Sequence, residues 1–468
     1  VAAGGLDIGP AWEHLREIDD QVRALSAEWI AGDSRSATRL GPRAVVAALA
    51  TALRSGRSAR REQLRLLDYD ALATALPLWV GTLPDIDDLL PAVPGMFDLV
   101  ILDEASSIDQ PLAAPALLRA ERAVIVGDPR QLRHVSFVSD ERLRTTLDAH
   151  GIDPASPVAA RLDVRRNSTF DLAAGVAPVT MLSEHFRSDP HLVEFVARRL
   201  YGGALQVATR TPLTEDVDCV TVVRLEGKRN AKGVVEAEVD HVVAQLREMR
   251  RAGVRSVGVV TPFRAQADAL EAAVLAAFTA DDLEALDLRV GTVHAFQGNE
   301  RDTVIASLGL GPDDGASSWR FADDPHLFAV FVTRARRRMT FVVSCDPPAG
   351  GLVGDYLAQA DAPPGRPRCD AEAAGPWVRG IAEDLVRAGL DPAVGYPTGR
   401  HVVDVALGVD GRLCAVEGEV HPDGPEAHVE RHLALRRGGW DVVEAHRSRW
   451  ADRHAELVVE LIRALGRT

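Results

Sequence analysis

Two groups of carboxylates lie where short apolar runs end. The run FDLVIL (97–102) is followed at once by Asp103 and Glu104, and RAVIVG (122–127) by Asp128, with Gln131 three residues further on. In an open parallel sheet, ligands bind beyond the carboxyl ends of the strands. An aspartate there can hold Mg²⁺, directly or through water, and a following glutamate can orient or deprotonate a water. An isolated Asp-Glu after a strand is a weak signal. The pair DEAS plus GDPRQL, delivered by two neighbouring strands, is far more specific and points to phosphoryl chemistry.

The second group lies in HVVDVALGVDGRLCAVEGEVH (401–421). VVDVAL and LCAVEGEV read as strands, and Asp410-Gly411 reads as a two-residue hairpin turn. With Val409 opposite Arg412, Asp404 faces Glu417, and Glu419 shares that face two residues on. Directly opposed side chains have Cβ atoms roughly 4.5–5.5 Å apart. Like charges that close are destabilising unless a cation or proton intervenes. Mg²⁺ or Mn²⁺ with oxygen ligands answers that need, and such a site can activate water for phosphodiester cleavage. The competing reading is an exposed hairpin face with solvated, splayed acids.

The elements around these residues alternate. From Leu72 to Val179, short apolar runs alternate with helical stretches, the rhythm of a parallel α/β sheet. A second set of strands is expected at SVGVVT (256–261), LRVGTV (288–293), DTVIASL (302–308) and MTFVVS (339–344), separated by helical patterns at 234–251 and 265–278. The expected fold class is α/β, with an incomplete first lobe at 72–178 and a second lobe at 179–348. Residues 1–71 read as a polar helical segment. Its five arginines between Arg54 and Arg65 are either a solvated face or a phosphate-contacting stripe. A Pro/Gly-rich linker is expected at 349–370, before a small α/β unit at 371–468.

Composition narrows the function. The 468 residues carry 53 Lys and Arg against 68 Asp and Glu, a formal charge of −15. That excludes coating DNA through bulk positive charge, though not a local basic groove such as Arg336–Arg338. The four cysteines, at 219, 345, 369 and 414, show no Cys-x-x-Cys spacing, so a zinc ribbon or disulfide framework is not expected. No apolar run approaches the roughly 18–20 residues of a membrane span, and no signal peptide opens the sequence. The expected setting is a reducing cytoplasm.

DEAS and GDPRQL resemble motifs II and III of superfamily 1 helicases. SEHFRSDPHLVEFVARRLYGGAL (183–205), VGVVTPFRAQ (257–266), VGTVHAFQGNERDTVIASL (290–308) and FAVFVTRARRRMTFVVS (328–344) resemble the family's later segments in order and spacing. The branch is the one containing the nonsense-mediated-decay RNA helicase and the Okazaki-fragment helicase–nuclease. The resemblance implies two RecA-like lobes and ATP with Mg²⁺. It implies that Asp103 ligates the metal, Glu104 positions the attacking water and Gln131 senses the γ-phosphate. Arg187 and Arg334 take arginine-finger positions, where a guanidinium neutralises charge on the transferring phosphoryl group. Asp128, Gln297, Gly298 and Glu300 join the nucleotide-binding group, with Glu300 facing the ribose. Thr261 and Thr292 would lie near the nucleic-acid backbone. Two positions depart from the family pattern: His294 stands where Asp is usual and Ala329 where Asn is usual.

One element of that family is missing. A P-loop, G-x-x-x-x-G-K-[ST], cradles phosphates on backbone amides with its lysine at the β- and γ-phosphates. The sequence has two lysines, Lys228 and Lys232, and neither has that context. The expectation is a record truncated upstream of Val1; a naturally split or degenerate ATPase is the alternative. An upstream segment or a partner would then supply the P-loop, and this chain alone would hydrolyse ATP poorly.

The C-terminal unit resembles the PD-(D/E)XK restriction-endonuclease-like fold, in the small version related to very-short-patch-repair nucleases. Asp404, Glu417 and Glu419 match its acidic core, with Glu419 at the position usually held by lysine. Glu383 matches the helical acid, His421 would assist and Arg431 would approach phosphate. Trp440 and Trp450 are expected to pack the small core. The combined expectation is part of an ATP-driven helicase acting on single-stranded nucleic acid, with an attached metal-dependent nuclease, in repair or defence. DNA is favoured over RNA because of the nuclease-like unit. The alternative is a non-hydrolysing nucleic-acid-binding protein.

Overall fold

The computed structural model describes residues 8–37 and 42–466, apart from 363, 366 and 373. Val1 and the question of what precedes it lie outside the described residues. The chain divides into two compact units, Trp12–Thr180 and the part from Met181 onward. Among the described residues, no helix is long and apolar enough to cross a membrane.

The first unit opens within a 30-residue helix, Ile8–Ala37. Leu15, Ile18, Val22, Leu25 and Trp29 recur on it at spacings of three and four, and all are exposed. Shorter helices follow, and Val45, Leu49, Leu64, Leu72, Leu90 and Met96 bury together. The unit's strands β1 (Phe97–Leu102) and β2 (Ala120–Ile125) pair in parallel across the crossover helix Gln110–Leu118. On one face, Leu102 packs with Ala113 and Ala116 of that helix. On the other, Leu99, Ile101 and Val124 are exposed, with Ile101 in register with Val124. Parallel sheets are ordinarily covered on both faces, so this face is bare.

In the second unit, β3 (Glu184–His185) pairs with β4 (Gln206–Val207). A five-stranded sheet is built from β5 (Val220–Arg224), β6 (Val257–Thr261), β7 (Arg289–Thr292), β8 (Arg301–Ser307) and β9 (Ala335–Val343). Its order is β5-β9-β8-β6-β7, and every pair is parallel. Strands β6 to β9 lie on the four runs expected from the sequence, and β5 is an addition to them. The inner parts of β6, β8 and β9 are apolar and buried: on one face, helices Glu236–Arg251 and Arg264–Ala277 bury Val242, Leu246 and Leu270 against Val257, Val259 and Ile305. Glu238 is also buried there. Its carboxylate accepts from Ser307 Oγ at 2.6 Å and Gly309 N at 2.8 Å. Burial pushes its pKa up to about 7, against those hydrogen bonds.

The last sheet contains β10 (Ala393–Thr398), β11 (His401–Val409), β12 (Arg412–Glu417) and β13 (Asp441–Glu444). The first two pairings are antiparallel and β12–β13 is parallel. Asp410 and Gly411 both adopt positive φ, 49° and 79°, in the two-residue turn, and Val409 pairs with Arg412. That is the expected hairpin register. One face packs on helices Pro376–Arg387 and His454–Ala464 through Val405, Leu407, Val416, Leu385 and Leu461. The opposite face buries Ala406, Ala415 and Val442 with Leu435 of helix Pro425–Arg437 and with Trp440. The mixed α/β class with parallel-stranded sheets is thus established.

Candidate functional site

In the first unit, Asp103 and Glu104 directly follow β1. Glu104 takes a left-handed backbone conformation, φ 54°, and its N–H meets Asp103 Oδ1 at 2.8 Å. Asp128 lies past β2, accepting from Gln131 Nε2 at 2.9 Å and from Arg130 N at 2.9 Å. The parallel pairing of β1 and β2 therefore brings all four expected residues to one strand end. Three carboxylates, Asp103, Glu104 and Asp128, on that edge are an oxygen donor set suited to Mg²⁺.

In the second unit, the parallel sheet separates two groups by edge. Thr261 and Thr292 end β6 and β7, at the carboxyl edge. Thr261 is fully buried, with its hydroxyl turned to Phe263 N, so it offers no surface to nucleic acid in this arrangement. Thr292 caps the turn Val293–Phe296, accepting from Ala295 N. Gln297 and Gly298 follow, and Gly298 needs its φ of +72°, a conformation costly for other residues.

Glu300 and Arg334 directly precede β8 and β9, at the amino edge. Arg187 Nε lies 2.8 Å from Glu300 Oε2. Arg336 reaches Glu300 at 3.6 Å and Asp302 at 2.9 Å. Arg334 differs from the expected phosphate-facing arginine. It is only 3% exposed, and its guanidinium donates to Val330 O, Asn299 O and Thr333 Oγ1. Arg187, by contrast, has a half-exposed side chain. His185 is turned inward, accepting from Ser188 N at 2.9 Å, and burial pushes its pKa down to about 4.

The C-terminal sheet holds a row of carboxylates that differs from the expected trio. Asp404 lies opposite Glu417 by continuation of the hairpin register, and Glu417 is the direct parallel partner of Glu444. Three acids on three strands thus share one face, the face covered by helix Pro425–Arg437. Glu419 does not join them because β12 ends at Glu417. Its carboxylate instead lies against Gly375, which precedes helix Pro376–Arg387. A helix N-terminus favours such a negative charge. Glu383 is exposed and ion-pairs with Arg387, away from the row.

Arg431 is also placed differently from its expected phosphate contact. It is 4% exposed and ion-pairs with the fully buried Glu417, and it donates to Val402 O and Glu419 O at 3.2 Å. Burial raises the Glu417 carboxyl, Arg431 opposes that rise, and Asp404 and Glu444 add to it. Asp404 Oδ2 accepts from Gly418 N at 2.8 Å and Glu419 N at 2.9 Å. In this arrangement Arg431 supplies the positive charge at Glu417, and Glu419 points away from Asp404 and Glu417.

Four residues of this face were not anticipated. Glu444 is ringed by His428, His432 and His446, all buried. His428 Nε2 lies 3.2 Å from Glu444 Oε2, His432 Nδ1 3.0 Å from Oε1 and His446 Nε2 2.8 Å from Oε2. Burial raises the Glu444 carboxyl, but hydrogen bonds from the three imidazoles outweigh it and hold it well below the usual carboxylate range. The signal was present as His-x-x-x-His at 428–432, one helical face, and Glu-x-His at 444–446.

Comparison with known proteins finds similarity over much of the second unit. A family described as AAA domain matches residues 166–346. The chain is 28% identical over 291 residues to an uncharacterized ATP-dependent helicase, MG140, of Mycoplasma genitalium, covering 58% of this chain and 25% of the relative. It is 24% identical over 262 residues to the DNA replication ATP-dependent helicase/nuclease DNA2 of Gallus gallus, covering 54% and 23%. The chain thus spans about a quarter of the length of these curated relatives. Among solved structures, the arterivirus nonstructural protein 10 helicase matches at 15% identity and a TM-score of 0.26, covering 57% of this chain and 43% of that one. The family match over residues 166–346 and the helicase relatives together support a superfamily 1 helicase-like region in this chain.

Proposed function

We propose that this chain is part of an ATP-driven motor acting on single-stranded nucleic acid, DNA in preference to RNA. The observation that carries the reading is the amino-edge cluster of Arg187, Glu300 and Arg336 within the AAA domain. Arg187 is half exposed and already held beside a carboxylate, so a phosphate can compete for it. When bound, Mg²⁺ would neutralise charge on the nucleotide's phosphate oxygens. Asp103 would hold that ion and Glu104 would orient water. Asp128 and Gln131 in the first unit, and Gln297 and Gly298 in the second, would each contact nucleotide, and Arg334 would have to leave its carbonyl partners to do so. The two-stranded sheet β1-β2, with an exposed apolar face, supports completion of the first lobe by further strands at its edges and helices over that face, from an upstream segment or a partner that also supplies the P-loop.

The test is ATP hydrolysis with and without single-stranded DNA or RNA. The 468-residue chain alone is expected to stay near background. A longer polypeptide that adds a strand and G-x-x-x-x-G-K-[ST] is expected to show DNA-stimulated turnover. Stimulation equal to background in that longer form would sink the motor reading and leave a nucleic-acid clamp.

A metal-dependent nuclease is a second reading of the C-terminal unit, favoured by the carboxylate row Asp404–Glu417–Glu444 and by the name of the chicken helicase/nuclease relative. Cleavage of single-stranded DNA in Mg²⁺ or Mn²⁺, abolished by Asp404→Ala, is the expected outcome. Equal cleavage by that variant would reject it.

A further inference from the structure

We propose that His428, Glu444 and His446 form a transition-metal site of the zinc class, distinct from the expected Asp404, Glu417 and Glu419 site. The ligand atoms of the three residues all lie within 4.8 Å of one another, and all three residues are buried. Two imidazole nitrogens converge on the same Glu444 oxygen, at 3.2 and 2.8 Å. Zinc bonds of about 2.0–2.1 Å in a tetrahedral arrangement place ligand atoms about 3.4 Å apart, so small shifts admit an ion. Two nitrogens and a carboxylate oxygen suit zinc better than Mg²⁺, which takes oxygen ligands.

The surrounding groups fit the assignment. His432 lies 3.0 Å from the other Glu444 oxygen and holds the carboxylate's orientation, the supporting partner that metal-bound ligands usually have. Two changes accompany loading. His428 accepts at Nδ1 from Arg431 Nη2 at 3.2 Å and from His421 N at 3.4 Å, so its ring proton lies on Nε2. Metal at Nε2 moves that proton to Nδ1, so both donors give up this contact, with Arg431 keeping Glu417 and two carbonyls. His446 Nε2 donates to Glu444, and metal there releases its proton to solvent. The ion would tie helix Pro425–Arg437 to the end of β13, the two elements that close the carboxylate face. The competing account is a hydrogen-bond network without metal, and it does not require any ion.

The test is metal analysis of the full chain after zinc loading and gel filtration, with thermal melting before and after EDTA. The expected result is about one zinc per chain and a lower melting temperature after chelation. Cobalt substitution is expected to give visible ligand-field bands without thiolate charge-transfer absorption, which separates this site from binding at cysteine. His428→Ala and His446→Ala are expected to reduce bound zinc to near zero, whereas the exposed His150→Ala retains it. Zinc well below one equivalent in the unmodified chain, with melting unchanged by EDTA, would overturn the proposal without reference to any variant. Full retention of zinc in a folded His446→Ala protein would overturn it equally.

Discussion

Arg187 Nε lies 2.8 Å from Glu300 Oε2, joining the segment after β3 to the residue that precedes β8. The two positions are more than a hundred residues apart in the chain, and the pairing exists because the β8 amino end is set beside that segment. The same carboxylate also meets Arg336. A guanidinium held this way is oriented but half exposed, available to an incoming phosphate.

In the longer, P-loop-bearing form, Arg187→Ala is expected to lower nucleic-acid-stimulated kcat by at least about 10²-fold. Arg187→Lys should recover little, because an ammonium cannot make the bidentate contact. A coupled ATPase assay checks both. A kcat unchanged in Arg187→Ala would place the arginine outside the reaction.

Glu238 makes stability depend on pH. Its folded pKa of about 7 exceeds its ordinary value of 4.5. The contribution is therefore full below 4.5 and is lost as pH rises through about 7. The shift corresponds to about 3 kcal/mol. Glu238→Gln is expected to flatten the decline over that window and to melt higher than the parent at pH 8. Melting curves at pH 5 and 8 measure it, and parallel pH profiles would refute it.

Arg431→Ala leaves Glu417 buried without its counter-charge. The expected cost is about 3–5 kcal/mol, read from urea unfolding followed by tryptophan fluorescence. Glu417→Gln with Arg431→Met removes both charges and should restore more than half of that loss. Equal instability of the single and double variants would show that the ion pair is not the cause.

Gly418 permits close packing between the end of β12 and helix Pro376–Arg387. A Cβ there would lie 2.8 Å from Val378 Cγ2. Gly418→Ala is expected to cost about 1–3 kcal/mol by overpacking. Combined with Val378→Ala it should cost less than the sum of the single effects, since the clashing methyl is gone. Additive effects would assign the cost to something other than that clash.

Much of the fold was legible because its signals are local. Continuous apolar runs marked β6, β8 and β9, since strands covered on both faces have no polar alternation. Asp410-Gly411 set the hairpin turn because both residues adopt positive φ with little strain, and the turn then set Val409 opposite Arg412. The pairing of DEAS with GDPRQL was legible for the same reason, as a strand, a crossover helix and a second strand.

The fates of the charged groups were not legible. Strand alternation put Glu419 beside Glu417, but β12 stops two residues before it and the carboxylate lies instead at the start of the helix at Pro376. Arg431 was expected to approach phosphate, but helix Pro425–Arg437, laid over the sheet, turns it onto Glu417. The same helix brought His428 and His432 to Glu444, whose place beside Glu417 depends on β13 joining in parallel from the far side of that helix. By itself the sequence determined which residues form strands, helices and turns, because propensity and periodicity act over a few residues. Only the tertiary structure decided which charges neutralise one another, because burial in a low-dielectric core demands a partner and long-range packing chooses it.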